Sequence, residues 1–351
     1  MRYLPIILTS TAIFVSACAP KSDYQRIEGE TMGTSYHITF RTTAQDANAI
    51  KSAIDARLNE VNQSMSTYVE DSTISKFNRL PSNQPLTIDA DFKQVLNDSR
   101  TIFLASGGSF DPTVYPLVEL WGFGSHMSVE RLQSPPSEEE IHALKDTIGL
   151  DKIVLTGDKI HKTHDGVGLD FSAIAKGYGV DVIASVLSTQ YGIEDYMVEI
   201  GGEVATKGKN DKGKAWMLAI DAPIKDSTTQ DRKVFTTLRQ PDAKTLHIAT
   251  SGGYRNSVEY NGVRYSHTIS PTTGKPVAHA APSVTVIHDS VALADGWATA
   301  LSAMPYEKAL TTANQHQIKA LFIIENPDNT GFKMVKTQAL SQSDITNQTA
   351  L

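Results

Sequence analysis

Asp295 and Thr299 have the chemistry of metal ligands. They fall in a segment, about 291–304, whose apolar pattern predicts a helix that stops before Pro305. A spacing of four residues puts both side chains on one helical face. A carboxylate and a hydroxyl are oxygen donors of the kind Mg2+ takes. Spacing alone favours a plainer reading, in which Asp295 caps the helix and Thr299 packs. His267 is the candidate proton acceptor, because imidazole takes a proton near neutral pH. It lies in a polar run, Ser266-His267-Thr268-Ile269-Ser270, followed by a Pro-Thr-Thr-Gly turn. The chain has ten histidines, so residue type alone does not select this one.

Five stretches carry more Gly and polar residues than a core would choose. They are Thr31 to Tyr36; Ser66-Thr67-Tyr68 with Ser75 to Asn78; Gly108 to Val114, running on to Trp121-Gly122-Phe123-Gly124; Leu169 to Tyr178; and Thr250 to Arg255, continuing through Ser266 to Gly274 and Ala294 to Thr299. Gly201-Gly202-Glu203 and Thr250-Ser251-Gly252-Gly253 permit close backbone approach to a ligand, or form ordinary hairpin turns. No Gly-x-Gly-x-x-Gly follows a strand and there is no Walker loop, so a dinucleotide would not be held in Rossmann fashion.

The elements that must position these residues alternate irregularly. Residues 26–41 read as strand. Ile50, Ile54, Leu58, Val61 and Met65 recur at helical spacing over 44–65. Phe92, Val95, Leu96, Ile102 and Phe103 mark a second helix, ended by Gly107-Gly108. Ser137 and Glu140 form a capping box. Residues 174–187 read as helix, and 306–316 as another. Strand-like runs cover 195–207, 215–221, 246–250, 255–269, 282–288 and 321–324. Several strands look hairpin-joined, which favours α+β over a doubly wound parallel sheet.

The first residues read differently. A basic Arg2, an apolar run from Leu4 to Val15 and Ser16-Ala17-Cys18 have the layout of a secretory signal. Val15 to Cys18 resembles a bacterial lipobox, which makes Cys18 a lipidation site and residues 1–18 a signal peptide. Cys18 is the only cysteine, so its lipidation excludes thiol nucleophiles, disulfides and cysteine metal sites. Ala19 after it resembles an outer-membrane sorting signal, which would leave the globular part facing the periplasm. A tether, 19–25, leads to one domain over 26–340, and 341–351 is read as a tail. The net charge of −7 makes nucleic acid an unsuited partner.

In their order, the five stretches resemble the FAD:protein FMN transferase family, lipoproteins of the ApbE type. The resemblance runs from about residue 25 to about 335. It implies an α+β, T-fold-like architecture: mixed antiparallel sheets flanked by helices, with the flavin in a cleft. It implies FAD as substrate and Mg2+ held by Asp295, Thr299 and the backbone carbonyls of Ala173 and Ala298. Some relatives carry Asp where Ala298 stands, so that side-chain ligand is absent here. His267 matches the family's catalytic histidine; the Asp that often precedes the following Pro is Ser270. Met32, Tyr68, Ser109, Phe110, Asp111, Asp170, Lys176 and Ile269 match positions that contact FAD. For Met32 and Tyr68, plain core packing is the alternative.

The implied reaction moves FMN from FAD to a Thr or Ser hydroxyl of an acceptor protein and releases AMP. The family's acceptors are flavoprotein subunits of membrane redox complexes, the Na+-translocating NADH:quinone reductase and its Rnf-type relatives. Water in place of the hydroxyl would make the same site an FAD pyrophosphatase. A non-catalytic FAD-binding lipoprotein and a structural envelope lipoprotein are the other readings.

Overall fold

The computed structural model describes residues 23–42, 46–124, 134–224, 233–241, 244–252, 257–260, 263–277, 281–328 and 331–348. The leader with Cys18, and Gly253 to Arg255, lie outside the described residues. The described residues begin with a hairpin of β1 (Tyr24–Thr31) and β2 (Thr34–Arg41), then helices α1 (Ala47–Met65) and α2 (Thr73–Arg79). Strand β3 (Leu86–Thr87) precedes α3 (Ala90–Ala105), α4 (Tyr115–Leu120) and α5 (Glu138–Leu144). Next come β4 (Ile153–Thr156), β5 (Lys159–Lys162), α6 (Ala175–Ser185), β6 (Tyr196–Ile200), β7 (Glu203–Lys207), β8 (Met217–Asp221) and β9 (Val234–Arg239). Strands β10 (Leu246–Ser251), β11 (Ser257–Tyr260), β12 (Val263–Ser266) and β13 (Ser283–Ile287) lead to α7 (Val291–Ser302) and α8 (Tyr306–Gln315). Strands β14 (Lys319–Glu325), β15 (Phe332–Lys336) and β16 (Ile345–Gln348) complete the described chain.

Eight strands form one sheet in the order β1-β2-β6-β7-β10-β13-β14-β15, every neighbour antiparallel. The expected α+β class is therefore the observed one. Alternation along each strand gives the sheet two apolar faces. On β14, Ala320 and Phe322 join the helical core, whereas Leu321 and Ile323 face the opposite layer. On β10, Ala249 faces the helices and Leu246 and Ile248 face away. The opposite layer is the small sheet β16-β9-β8, through Leu218, Ile220, Phe235, Leu238 and Ile345. On the helical side, Ile50, Ile54 and Leu58 of α1 meet Val180 and Ile183 of α6 over Tyr36, Ile38 and Phe40 of β2. Each such buried side chain contributes roughly 1.5–3 kcal/mol.

The structure departs from the sequence reading at several places; the single runs read over 195–207 and 255–269, for instance, contain the antiparallel pairs β6-β7 and β11-β12. The strand expected over 26–41 folds back on itself at Met32-Gly33, where both residues have positive φ (52° and 72°). Such a two-residue turn suits the twist of a hairpin, but Met is an uncommon occupant of that conformation. Residues 341–351, read as a tail, include a 3-10 turn and strand β16, which pairs with β9. Strands β9 and β15 and the short sheet β3-β5-β4 were not read from the sequence. Among the described residues no helix is long and apolar enough to cross a membrane.

Candidate active site

Helices α6 and α7 meet near their starts, and a glycine makes the meeting possible. A Cβ on Gly177 would stand 2.7 Å from the carbonyl carbon of Val291 and 2.8 Å from Cβ of Asp295. Asp181, one turn further along α6, fixes the contact from the other side. Its two carboxylate oxygens accept the Val291 and Ala292 amides, both at 2.9 Å. Ser290 caps the same helix by accepting the Leu293 amide at 3.1 Å. These acceptors satisfy helix-start donors that have no partner within the helix.

Asp295 is held at this junction, 4% exposed. The Gly177 amide donates to its Oδ2 at 3.0 Å. Gly177 lies in the first turn of α6, where an amide has no partner within the helix, so Asp295 acts as its cap. Ala173 lies just before α6, two residues ahead of its first turn. Thr299 lies one turn beyond Asp295 on α7 and is partly exposed. Ala298 is buried inside the continuous helix, where the amide of Ser302 is its regular partner. Its carbonyl still has a second lone pair. A carboxylate and a hydroxyl one turn apart on α7, with backbone carbonyls nearby in sequence, are hard oxygen donors, and this chemistry fits Mg2+.

Lys176 completes the cluster. Its Nζ lies 3.5 Å from Oδ2 of Asp295 and 3.4 Å from Oε1 of Glu203. Glu203, on β7, is buried among these charges. Burial pushes the Glu203 carboxyl up to about 8, with Lys176 pulling against it and the Asp295 charge adding to it. Burial likewise raises Asp295, against the pull of Lys176 and the Gly177 amide. Burial works against the charge on Lys176, yet the two carboxylates outweigh it and hold the ammonium above the usual lysine range. Two acids share one base, so the cluster has an appetite for further positive charge.

The remaining expected residues form two further groups. Met32, in the β1–β2 turn, lies over α6, because a Cβ on Gly179 would come within 3.0 Å of its Cε. The Phe110 ring packs beside α7, 3.6 Å from where Gly296 would carry a Cβ. Ser109, Phe110 and Asp111 are buried. Asp111 accepts the Thr113 amide and hydroxyl at 2.8 and 2.6 Å, which makes it a local cap, and burial raises its carboxyl. The Asp170 amide donates to Pro112 at 2.8 Å, and its carboxylate accepts the Ser172 amide at 2.7 Å. Asn78 of α2 pins the same stretch with a pair of bonds to the Leu169 backbone, at 2.7 and 2.9 Å. Tyr68 is 67% exposed, with Asp170 and Glu119 near enough for their charges to bear on its hydroxyl.

His267 and Ile269 belong to a loop anchored elsewhere. His267 is exposed just after β12. Ile269 is buried with Leu117, Trp121 and Ile141, and it bridges to Pro276. Trp121 Nε1 donates to the Gly274 carbonyl at 2.8 Å, in a buried bond. A Cβ on Gly274 would stand 2.5 Å from Cγ2 of Ile141. The loop after His267 is therefore clamped onto α4 and α5.

The fold is similar to that of a solved flavin transferase, ApbE from Vibrio cholerae. The TM-score is 0.78 over 91% of this chain and 98% of that one, at 36% identity. The FAD:protein FMN transferase of Vibrio cholerae serotype O1 is 38% identical over 330 residues, covering 93% of this chain and 95% of its own length. That of Haemophilus influenzae is 36% identical over 351 residues, 98% of both chains. The ApbE family model matches residues 32–322, and the chain belongs to the ApbE family.

Proposed function

We infer that this chain is an FAD:protein FMN transferase that uses Mg2+ and acts outside the cytoplasm, tethered by a lipid on Cys18. Family membership carries the flavin-transfer chemistry. The burial of the Asp295 and Glu203 carboxyl groups around the single Lys176 ammonium, with the Thr299 hydroxyl one turn along α7, is the observation that supports a cation site at this junction.

Asp295, Thr299 and the carbonyls of Ala173 and Ala298 would hold the metal. Bound there, Mg2+ offsets the negative charge that builds on the two phosphates of FAD as the bond between them breaks. His267 takes the proton of a Thr or Ser hydroxyl on the acceptor protein. That oxygen forms a bond to the FMN-side phosphorus, the bridging P–O bond breaks, and AMP leaves with its electron pair. Met32 and the exposed Tyr68 offer apolar and aromatic surface to the ring systems. Ser109, Phe110, Asp111, Asp170, Lys176 and Ile269 complete the proposed FAD contacts. Asp111 and Asp170 act there chiefly by shaping the backbone, since their carboxylates are engaged locally. The acceptors are flavoprotein subunits of membrane redox complexes such as the Na+-translocating NADH:quinone reductase or its Rnf-type relatives.

AMP release and FAD binding, measured together, test the assignment. Asp295→Ala should lose Mg2+-dependent AMP release. His267→Ala should bind FAD as the parent does and transfer nothing. Parental AMP release by the first variant removes the metal assignment, and full transfer by the second removes His267 as the base.

A further inference from the structure

Strand β7 opens on Glu203, directly after the Gly201-Gly202 turn. The residue is 3% exposed, yet its Oε2 has no hydrogen-bond partner among the described residues. A buried carboxylate oxygen without a partner is costly, so its retention calls for a use. Its other oxygen faces the Lys176 ammonium, which also faces Asp295. The lysine stem is confined by the same turn, since a Cβ on Gly201 would stand 3.3 Å from its Cδ. The ammonium is thus shared by two fixed carboxyl groups, and with both ionised the cluster carries one surplus negative charge.

We propose that Glu203 is a positioning residue that governs divalent-cation occupancy at Asp295: the Lys176 ammonium bridges Asp295 and Glu203 in the metal-free protein and withdraws onto Glu203 alone when the cation arrives. This rests on the reading of Asp295 as a Mg2+ ligand. A divalent cation on Asp295 repels the adjacent ammonium, and the repulsion is strong where water is excluded. Glu203 Oε2 supplies the acceptor that the displaced ammonium needs. The exchange turns one surplus negative charge into one surplus positive charge. That is the sign a pyrophosphate requires, so cation binding prepares the site for FAD. Without Glu203 the lysine has only Asp295 to pair with, and it competes with the cation.

Two measurements on the full-length, FAD-free protein test this. Calorimetric titration with Mg2+ should show at least roughly tenfold weaker binding for Glu203→Gln, a difference of about 1.4 kcal/mol. It should show tighter binding than the parent for Lys176→Met. Parental binding by Glu203→Gln, or parental or weaker binding by Lys176→Met, overturns the proposal. If Glu203→Gln does not fold, Lys176→Met decides alone. A crystal structure with Mn2+ reads the exchange directly: Lys176 Nζ should lie within hydrogen-bond distance of Glu203 and be detached from Asp295. A lysine still on Asp295 beside the bound ion overturns the proposal. Asp295→Ala separates the two levels. If it binds Mg2+ as the parent does, the metal assignment itself fails; if it loses Mg2+, the tests above bear on Glu203 and Lys176 alone.

Discussion

Gly177→Ala should cripple the enzyme while leaving it folded. The added methyl would stand 2.7 Å from the carbonyl carbon of Val291 and 2.8 Å from Cβ of Asp295. Carbon contacts are comfortable at about 3.5–4.0 Å, so the two helix starts must part by about 1 Å. Neither neighbour is the end of a flexible side chain. Val291 is also tied to α6 through Asp181, which resists the separation. Overpacking of this kind costs about 1–3 kcal/mol. Alanine recovers up to about 1 kcal/mol through its helix propensity, so the net loss of stability is small. The effect on catalysis is larger. Asp295 moves away from the Gly177 amide that orients it, and a misplacement of about 1 Å costs on the order of 100-fold in rate. Thermal unfolding and Mg2+-dependent AMP release, measured on the same preparation, separate the two effects. A variant with parental turnover would refute the idea that this close approach sets the position of Asp295.

Two other expectations follow from the same geometry. Trp121→Phe keeps the ring but removes the bond to Gly274, leaving a buried carbonyl without its donor at a cost of about 1–3 kcal/mol. Turnover should fall more than FAD affinity, because the loop carrying His267 loosens; equal losses in both would contradict the clamp. Asp91 is the second case. Burial alone would raise its carboxyl, but paired bonds from Arg57 at 2.6 and 2.7 Å and one from the Tyr178 hydroxyl hold it below the usual range. A carboxyl lowered in the folded state contributes stability that is present above its unfolded pKa, about 3.9, and is lost as pH falls through the folded value. Asp91→Asn should therefore lower stability at pH 7 and flatten the acid limb of a stability-against-pH curve below about pH 4. An unchanged acid limb would refute the assignment.

The longer helices were legible because their signals are local, whereas the short α2 and α4 were not read. Ile50, Ile54, Leu58, Val61 and Met65 gave α1 its buried face, and Ser137 with Glu140 forms the capping box that starts α5. The break at Met32-Gly33 was not legible, because Met at positive φ is held by its surroundings and leaves no turn signature. Within the site, the shared face of Asp295 and Thr299 followed from helical spacing alone. The meeting of Lys176, Glu203 and Asp295 did not. It depends on β7 entering the sheet next to β6 and on Gly177 admitting α7, which are facts of tertiary pairing. Glu203 was visible only as the end of a Gly-Gly-Glu turn. Lys176, read from the resemblance as an FAD contact, lies here between two carboxylates. The Trp121 bond spans 153 residues of sequence, and no periodicity encodes it.

The most direct test of the central claim is the intact mass of an acceptor flavoprotein domain after incubation with this protein, FAD and Mg2+. Flavin transfer predicts a mass gain of one FMN on a Thr or Ser, with one AMP released per adduct, and neither product in the Asp295→Ala variant. An acceptor of unchanged mass, with FMN and AMP free in solution or FAD intact, would contradict it.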